Sequence, residues 1–161
     1  MIEATRAEAE EASFRALYAD QFPPMVRLAY LTTGSLPAAE DVVQDAFVQL
    51  HRHRHRVHDP AAWLRRAVVS HCTSFVRRRM LERRHGRSVE LVHMPALSAD
   101  ATAVRDAMSR LKPRQRAAVF LRYYLDLPET AIADALGCRK GTVKSLLHRG
   151  LAVMKEALDE Q

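Results

Sequence analysis

Apolar residues recur at helical spacing along most of the chain, and no segment alternates apolar and polar residues as a half-buried strand would. The aromatic and leucine side chains of segment 14–22 lie on one predicted helix face. Pro23 and Pro24 interrupt that helix, and segment 25–34 predicts another helix, which Gly34 closes. The pattern is typical of an all-α protein.

Two longer helices precede a break in the periodic pattern. Pro37 lies in the first turn of the first of them, and Asp59 and Pro60 end that helix and begin the next. From 83 to 101 the periodicity fails, and a glycine, a proline and small polar residues replace it. This stretch predicts a flexible linker between two small helical domains.

The C-terminal pattern predicts a helix-turn-helix. A short helix bears Ile132, Gly137 permits a tight turn, and a longer helix presents Val143 and Leu147 inward. An ordinary helical hairpin would show the same apolar spacing. Segment 139–149, however, holds four Lys or Arg residues and no acidic residue, which favours DNA binding.

Charge is distributed unevenly along the 161 residues, whose net charge is +6. Residues 1–50 hold three arginines and eight carboxylates, residues 51–87 hold eleven arginines and two carboxylates, and residues 88–161 carry a net +2. A basic centre behind an acidic head is the charge pattern of a protein that binds a polyanion. A membrane surface is the weaker alternative, because the basic segment lacks an aromatic and leucine-rich face opposite its arginines.

The densest basic stretch is LHRHRHRVHD, residues 50–59, which contains four of the eight histidines. On a continuous helix His51, His55 and His58 would share one stripe, and three imidazoles on a stripe could in principle hold zinc. Interleaved arginines would repel a divalent cation, and no Cys, Asp or Glu joins the stripe before Asp59. We therefore predict a phosphate-facing surface rather than a metal site, with a charge that rises below about pH 6.5.

Other features exclude several classes of function. Cys72 and Cys138 are far apart in the sequence and predict reduced core cysteines in a cytoplasmic protein. The acidic N-terminus lacks the apolar core of a signal peptide, and no stretch is long enough to span a bilayer, so we predict no membrane insertion. Because no glycine-rich phosphate loop and no nucleophile with a placed base is recognisable, we predict neither an enzyme nor a bound cofactor.

Four segments occur in an order and at a spacing that resemble a known family. They are AEDVVQDAF, DPAAWLRRAVVSHCTSFVRRR, LKPRQRAAVFLRYYLDL and GTVKSLLHRG. Over about residues 14–156 the chain resembles the extracytoplasmic-function (ECF) sigma factors of bacterial RNA polymerase, of the minimal type with sigma-70 regions 2 and 4 only. The resemblance implies a region 2-like domain at 1–82, a linker at 83–101 and a region 4-like domain at 102–161.

The resemblance also implies a role for three sets of residues, with core RNA polymerase and promoter DNA as partners. The set that would dock on the clamp helices of the polymerase β′ subunit is Asp41, Gln44, Asp45 and Val48. The set that would bind the −10 element is His58, Trp63, Arg65, Arg66, Ser70, Arg77, Arg78 and Arg79. The set that would bind the −35 element is Arg139, Lys140, Thr142, Lys144, Ser145, His148 and Arg149.

Some positions depart from the family's usual residues. Ser70 and Ser74 stand where members commonly carry Asn and Asp, and Leu146 and Gly150 stand where many carry Arg and Ala. These departures predict an unusual promoter preference. At the position of Trp63 an aromatic residue more often anchors the core than stacks on a base.

The family implies further partners, and the residues alone leave another class of function open. Sigma factors of this type also contact the polymerase β flap, and an anti-sigma factor often holds them inactive by covering both DNA-binding domains. The alternative is a stand-alone helix-turn-helix regulator whose N-terminal helical domain senses a ligand or a metal through the histidines. The favoured hypothesis is an alternative sigma factor, associated with the nucleoid when it is active.

Overall fold

The computed structural model describes residues 2–84 and 99–160, which form helices joined by short turns. The helices are α1 (Ile2–Thr33), α2 (Leu36–His53), α3 (Pro60–Arg84), α4 (Ala99–Ser109), α5 (Pro113–Tyr123), α6 (Glu129–Leu136) and α7 (Lys140–Asp159). A 3-10 turn, Arg54–Arg56, follows α2. No strand occurs within the two described ranges, and the predicted all-α fold is confirmed. The predicted linker lies outside the described residues, except for its ends, which belong to α3 and α4.

α1 runs without a break through Pro23 and Pro24, so the interruption predicted there is wrong. A proline in a helix interior removes a backbone hydrogen bond and costs about 3 kcal/mol. The turns that follow bury Met25, Leu28 and Ala29 completely, in a helix that packs against α2, α3 and α5. Burial of a Met or Leu side chain contributes about 1.5–3 kcal/mol. Packing of this half of α1 therefore offsets the cost of the prolines.

Capping residues determine where α2 and α3 begin. The Oγ of Ser35 accepts a hydrogen bond from the Ala38 N–H at 3.4 Å at the start of α2. Asp59 Oδ1 accepts the N–H of Ala62 at 2.9 Å, and Pro60 supplies the first residue of α3. The start of α3 agrees with the sequence-based expectation, because Asp followed by Pro combines an N-cap side chain with a φ angle suited to a helix.

α2 ends at His53 rather than at Asp59, the end that the sequence predicted. The ring Nδ1 of His53 lies 2.8 Å from the Gln49 carbonyl, one of the carbonyls that the end of a helix leaves without a backbone partner. The 3-10 turn and an extended stretch then lead to α3. His55 and His58 consequently leave the helix stripe that a histidine cluster would require.

α6 and α7 form the predicted helix-turn-helix. Gly137 ends α6 in a left-handed conformation (φ 58°), and the N–H of Cys138 donates to the Ala133 carbonyl at 3.0 Å. Ile132 and Val143 are completely buried, one on each helix. The turn therefore has the tight geometry that a glycine at this position predicts.

Gly150, in the middle of α7, lies where this helix crosses α5. A Cβ at Gly150 would stand 3.2 Å from Cγ2 of Val119 and 3.6 Å from the Cβ of Gln115. Glycine in a helix interior costs about 1 kcal/mol relative to alanine. Here that cost accompanies a close approach of two helices, which gives this departure from the family's alanine a packing explanation.

The first three helices pack on one another, the last four pack on one another, and the two groups are also in contact. α1 lies against α5, and α3 lies against α6. Buried apolar side chains from both groups form one continuous cluster. None of the described helices is both long enough and apolar enough to cross a membrane.

Candidate nucleic-acid and partner interfaces

The residues predicted to bind polymerase share one exposed face of α2. They are Asp41, Gln44, Asp45 and Val48. The opposite face is buried and consists of Ala39, Val43, Ala46, Phe47 and Leu50. Spacing of four residues places the two carboxylates side by side, and Val48, which is 49% exposed, adds an apolar side chain to the same face. An acidic face around an exposed apolar side chain is complementary to a basic partner surface.

His51, at the end of α2, is already engaged in contacts within the chain. Its ring packs edge-on against Phe14 with centroids 4.9 Å apart, and a guanidinium nitrogen of Arg54 lies 2.8 Å from its Nε2. The Glu11 carboxylate lies 3.9 Å from the same nitrogen. A ring nitrogen that accepts a hydrogen bond from arginine has no lone pair left for a metal. Among the residues that the structure describes, no three His, Cys, Asp or Glu side chains could hold a metal ion together.

The predicted −10 residues lie on α3 and in the turn before it, in unequal environments. The exposed members are His58, Arg66, Ser70, Arg77 and Arg78, and the partly buried members are Trp63, Arg65 and Arg79. Trp63 packs against the hydrophobic core, and the guanidinium of Arg79 lies 5.8 Å from the centre of the Phe75 ring. α3 therefore combines solvent-facing cations with side chains that take part in packing.

The predicted −35 residues occupy the outer side of α7 and the turn before it. They are Arg139, Lys140, Thr142, Lys144, Ser145, His148 and Arg149, and all are exposed. Leu146 is partly buried against the core and does not belong to this face. A Cβ at Gly141 would meet no atom within 4 Å, so the first turn of α7 is open to a close approach by a phosphate. The positive end of the helix dipole adds to the charge there.

Polar side chains also join the two groups of helices, and the sequence analysis predicted none of these contacts. Arg66 of α3 forms an ion pair with Asp134 of α6, and Arg27 of α1 donates a hydrogen bond to the Tyr124 hydroxyl. The partners are 68 and 97 residues apart in the sequence. Nothing local in the sequence signals such a pair, because it depends on how two separate helical units pack.

Arg116 of α5 reaches the C-terminal end of α1. One guanidinium nitrogen donates to the Leu31 carbonyl at 2.7 Å, and Nε donates to the Leu111 carbonyl at 2.9 Å. Leu31 belongs to the last turn of α1, whose carbonyls lack partners within the helix and carry the negative end of its dipole. Partial burial lowers the pKa of the Arg116 guanidinium. The side chain thus caps a helix in the other group.

An apolar groove of about 570 Å³ lies between the two groups of helices. Its apolar lining comes from both of them and includes Tyr30, Leu31, Leu36, Val104, Met108, Phe120, Tyr123, Leu151 and Met154. Arg27 and Arg105 add positive charge to this lining. The groove therefore suits an apolar segment that carries acidic groups beside its apolar face.

Comparison with known proteins places both groups of helices in one family. Residues 17–82 match the family model for Sigma-70 region 2, and residues 101–154 match the model for Sigma-70, region 4. The RNA polymerase sigma-E factor of Streptomyces avermitilis is 33% identical over 134 residues, which are 76% of this chain and 72% of that protein. The ECF RNA polymerase sigma factor SigL of Mycobacterium tuberculosis is 31% identical over 170 residues, which are 96% and 93% of the two chains.

A solved structure has the same fold. It is the sigma factor RpoE in complex with the anti-sigma factor NepR from Bartonella quintana, with a TM-score of 0.79 and 22% identity over 91% of this chain and 97% of that chain. Sigma factors are initiation factors of transcription and not catalysts. The chain therefore belongs to the ECF RNA polymerase sigma factors of the sigma-70 family and is an alternative sigma factor rather than a stand-alone regulator.

Proposed function

We propose that this sigma factor directs polymerase to promoters through three separate surfaces. The acidic face of α2 binds the clamp helices of polymerase β′, α3 and the preceding turn bind the −10 element, and α7 binds the −35 element. The observation that carries the proposal is that one acidic and two basic sets of residues lie on three different helices. The α4–α7 unit also contacts the polymerase β flap.

The α2 face supports polymerase binding by its charge and its rigidity. Asp41 and Asp45 project from a helix whose opposite face is fixed in the core, so their positions relative to one another are set before binding. Preorganised charges raise association rates and restrict the choice of partner. Val48 supplies apolar area that a purely solvated acidic helix would not need to expose.

The α7 face supports recognition of closed duplex. A helix-turn-helix places its second helix in the major groove, where its N-terminal part meets base edges. Lys144, His148 and Arg149 project from this part of α7 and are exposed. Arg139 and Lys140, at the start of the helix, are suited to phosphate contacts, which position the helix without reading sequence.

The α3 surface supports contact with DNA that is being opened. Captured single strands need positive charge for the phosphates and room for unstacked bases. Arg77 and Arg78 supply exposed charge on α3, and His58 lies in the turn where the family's base-capturing loop is found. We propose that this surface acts in the cytoplasm, where the nucleoid lies.

A binding experiment with core RNA polymerase tests the proposal. The purified chain should co-elute with core enzyme and produce promoter-dependent transcripts. Asp45→Lys should abolish co-elution, because it reverses the charge on the proposed docking face. Glu40→Lys makes the same charge change on the same helix outside the proposed set and should leave co-elution intact. Tight binding to duplex DNA without any binding to core enzyme would contradict the proposal.

We further propose that an anti-sigma factor is a partner of this chain. The apolar groove between the two groups of helices supports this, because a helix seated there would contact α1, α4, α5 and α7 together. The lining arginines favour an acidic flank on such a helix. Leu151→Glu, which places a carboxylate among apolar side chains, should weaken capture by the anti-sigma factor and spare polymerase binding.

A further inference from the structure

The contacts between the two groups of helices involve residues that the proposed function assigns to DNA. Arg66, a predicted −10 residue on α3, pairs with Asp134 on α6, the first helix of the helix-turn-helix. Arg116 of α5 is hydrogen-bonded to the Leu31 carbonyl at the end of α1. These contacts hold the region 2 helices against the region 4 helices.

This arrangement does not fit simultaneous use of both promoter elements. Positions −10 and −35 are separated by about 25 base pairs, or roughly 85 Å of duplex at about 3.4 Å per base pair. Only the residues between Leu136 and Lys140 separate α6 from α7. A helix of the length of α7 spans roughly 30 Å at about 1.5 Å per residue. While Asp134 touches Arg66, the α7 face cannot stand as far from α3 as the two elements require.

We propose that the structure is a self-closed form of the sigma factor that cannot engage a promoter, and that the two groups of helices separate before promoter binding. In this form Asp134 neutralises Arg66, so a cation proposed to meet −10 DNA is occupied. The proposal rests on the proposed function, because it takes α3 and α7 to bind separate promoter elements.

The contacts have the properties of a reversible latch. The Arg66–Asp134 pair is largely exposed, so salt and water weaken it. The apolar groove shows that closure leaves part of the apolar surface between the groups of helices uncovered. The polymerase-docking face of α2 is exposed in the closed form, so core enzyme is able to bind the chain before it opens.

A cross-linking experiment on the full chain tests whether this closed form exists and is inactive. Arg66→Lys keeps the charge and introduces an amine, which a carbodiimide couples to the Asp134 carboxylate as an amide when the two are in contact. Peptide mapping should find this linkage, and the purified linked chain should direct at least tenfold fewer transcripts. The same background with Asp134→Asn, treated equally, should lack the linkage and retain transcription. Absence of the linkage, or full transcription by the linked chain, would overturn the proposal.

A charge reversal tests the latch in the opposite direction. Asp134→Lys faces Arg66 with a like charge, so the radius of gyration in solution scattering should increase and half-maximal transcription should need severalfold less protein. Asp159→Lys makes the same charge change at the far end of α7 and should alter neither. The swap Arg66→Asp with Asp134→Arg should restore the compact radius.

The outcomes separate this inference from the proposed function. An unchanged radius in Asp134→Lys, or an equal increase in Asp159→Lys, would overturn the closed form. Co-elution of the unsubstituted chain with core polymerase is measured in parallel. Its loss would contradict the proposed function whatever the radius shows.

Discussion

The DNA-facing sides of α7 and α3 are built in different ways. On α7 the predicted −35 residues stand together on one exposed face, and other residues of the helix make the contacts with the core. On α3 the predicted −10 residues take part in packing: Trp63 lies against the core, Arg79 lies over Phe75, and Arg66 pairs with Asp134. A helix that reads closed duplex is able to keep recognition apart from folding, whereas α3 uses some of the same side chains for both.

The largest expected effect comes from Trp63 on α3. Trp63→Ala should lower the free energy of unfolding by about 3 kcal/mol, because truncation of a packed tryptophan leaves a cavity. Circular dichroism during urea unfolding measures this, since Trp63 is the one tryptophan of the chain and its fluorescence disappears with it. Tyr123→Ala removes an aromatic ring that is 62% exposed and should cost less than about 1 kcal/mol. Unchanged stability of Trp63→Ala with loss of open complexes would make α3 as separable as α7.

The next effect concerns Lys144 and Arg149 on α7. Alanine at either position should weaken binding to −35 duplex by about 1–3 kcal/mol if a base contact is lost, and by about 0.9 unit of salt slope for each phosphate contact. Stability should stay within about 0.5 kcal/mol, and transcription from a pre-melted −10 template should be spared. Lys155→Ala, on an exposed site near the other end of α7, is the matched control. Equal defects on both templates would contradict the assignment of α7.

A smaller effect is expected from Arg77 and Arg78, the exposed cations near the end of α3. The double alanine variant should lower the salt slope for single-stranded −10 DNA by about 1.4 units, at about 0.7 for each contact. Binding to −35 duplex should not change. Arg79→Ala should in addition reduce stability, because this guanidinium packs over the Phe75 ring. If all three arginines behave alike, the division of α3 into exposed and packing residues is wrong.

The smallest effect appears only in alkaline solution and compares one cysteine from each group of helices. Burial raises the pKa of the Cys72 thiol from 9.0 to about 12, whereas Cys138 in the turn before α7 is partly exposed. Above about pH 9 the unfolded chain releases the Cys72 proton first, so stability should fall by up to about 1.4 kcal/mol per pH unit until the folded pKa is reached. Cys72→Ala should remove this component, and thiol reagents should label Cys138 first in the native chain. Faster labelling of Cys72 would show that α3 opens more readily than the turn.

The sequence predicted the outer faces of α2 and α7 because hydrophobic periodicity determines which side of an isolated helix is buried. Asp41 and Lys144 could be assigned to solvent on that basis alone. The ends of helices were harder to predict, since competing contacts determine them. α1 continues through Pro23 because its next turns are buried, and α2 stops at His53, where a side chain takes over a carbonyl.

The contacts between the two groups of helices could not be predicted from local pattern. Arg116 and Leu31 are 85 residues apart, and an arginine between two apolar helical positions has the spacing of any solvated cation. Its role depends on the packing of α5 against α1, which periodicity within either helix does not specify. The roles of individual side chains in DNA and polymerase binding stay predictions for the experiments above.

The position of Arg116 has a consequence for the modularity of the chain. A residue of the second unit completes the end of a helix in the first, so a hybrid that joins α1–α3 of this chain to the last four helices of a relative inherits an incomplete α1 unless the relative supplies an equivalent donor. Interchange between paralogues is therefore constrained at a place where neither DNA nor polymerase is bound. Compensating exchange at positions 31 and 116 would be needed before such a chimaera folds as well as its parents.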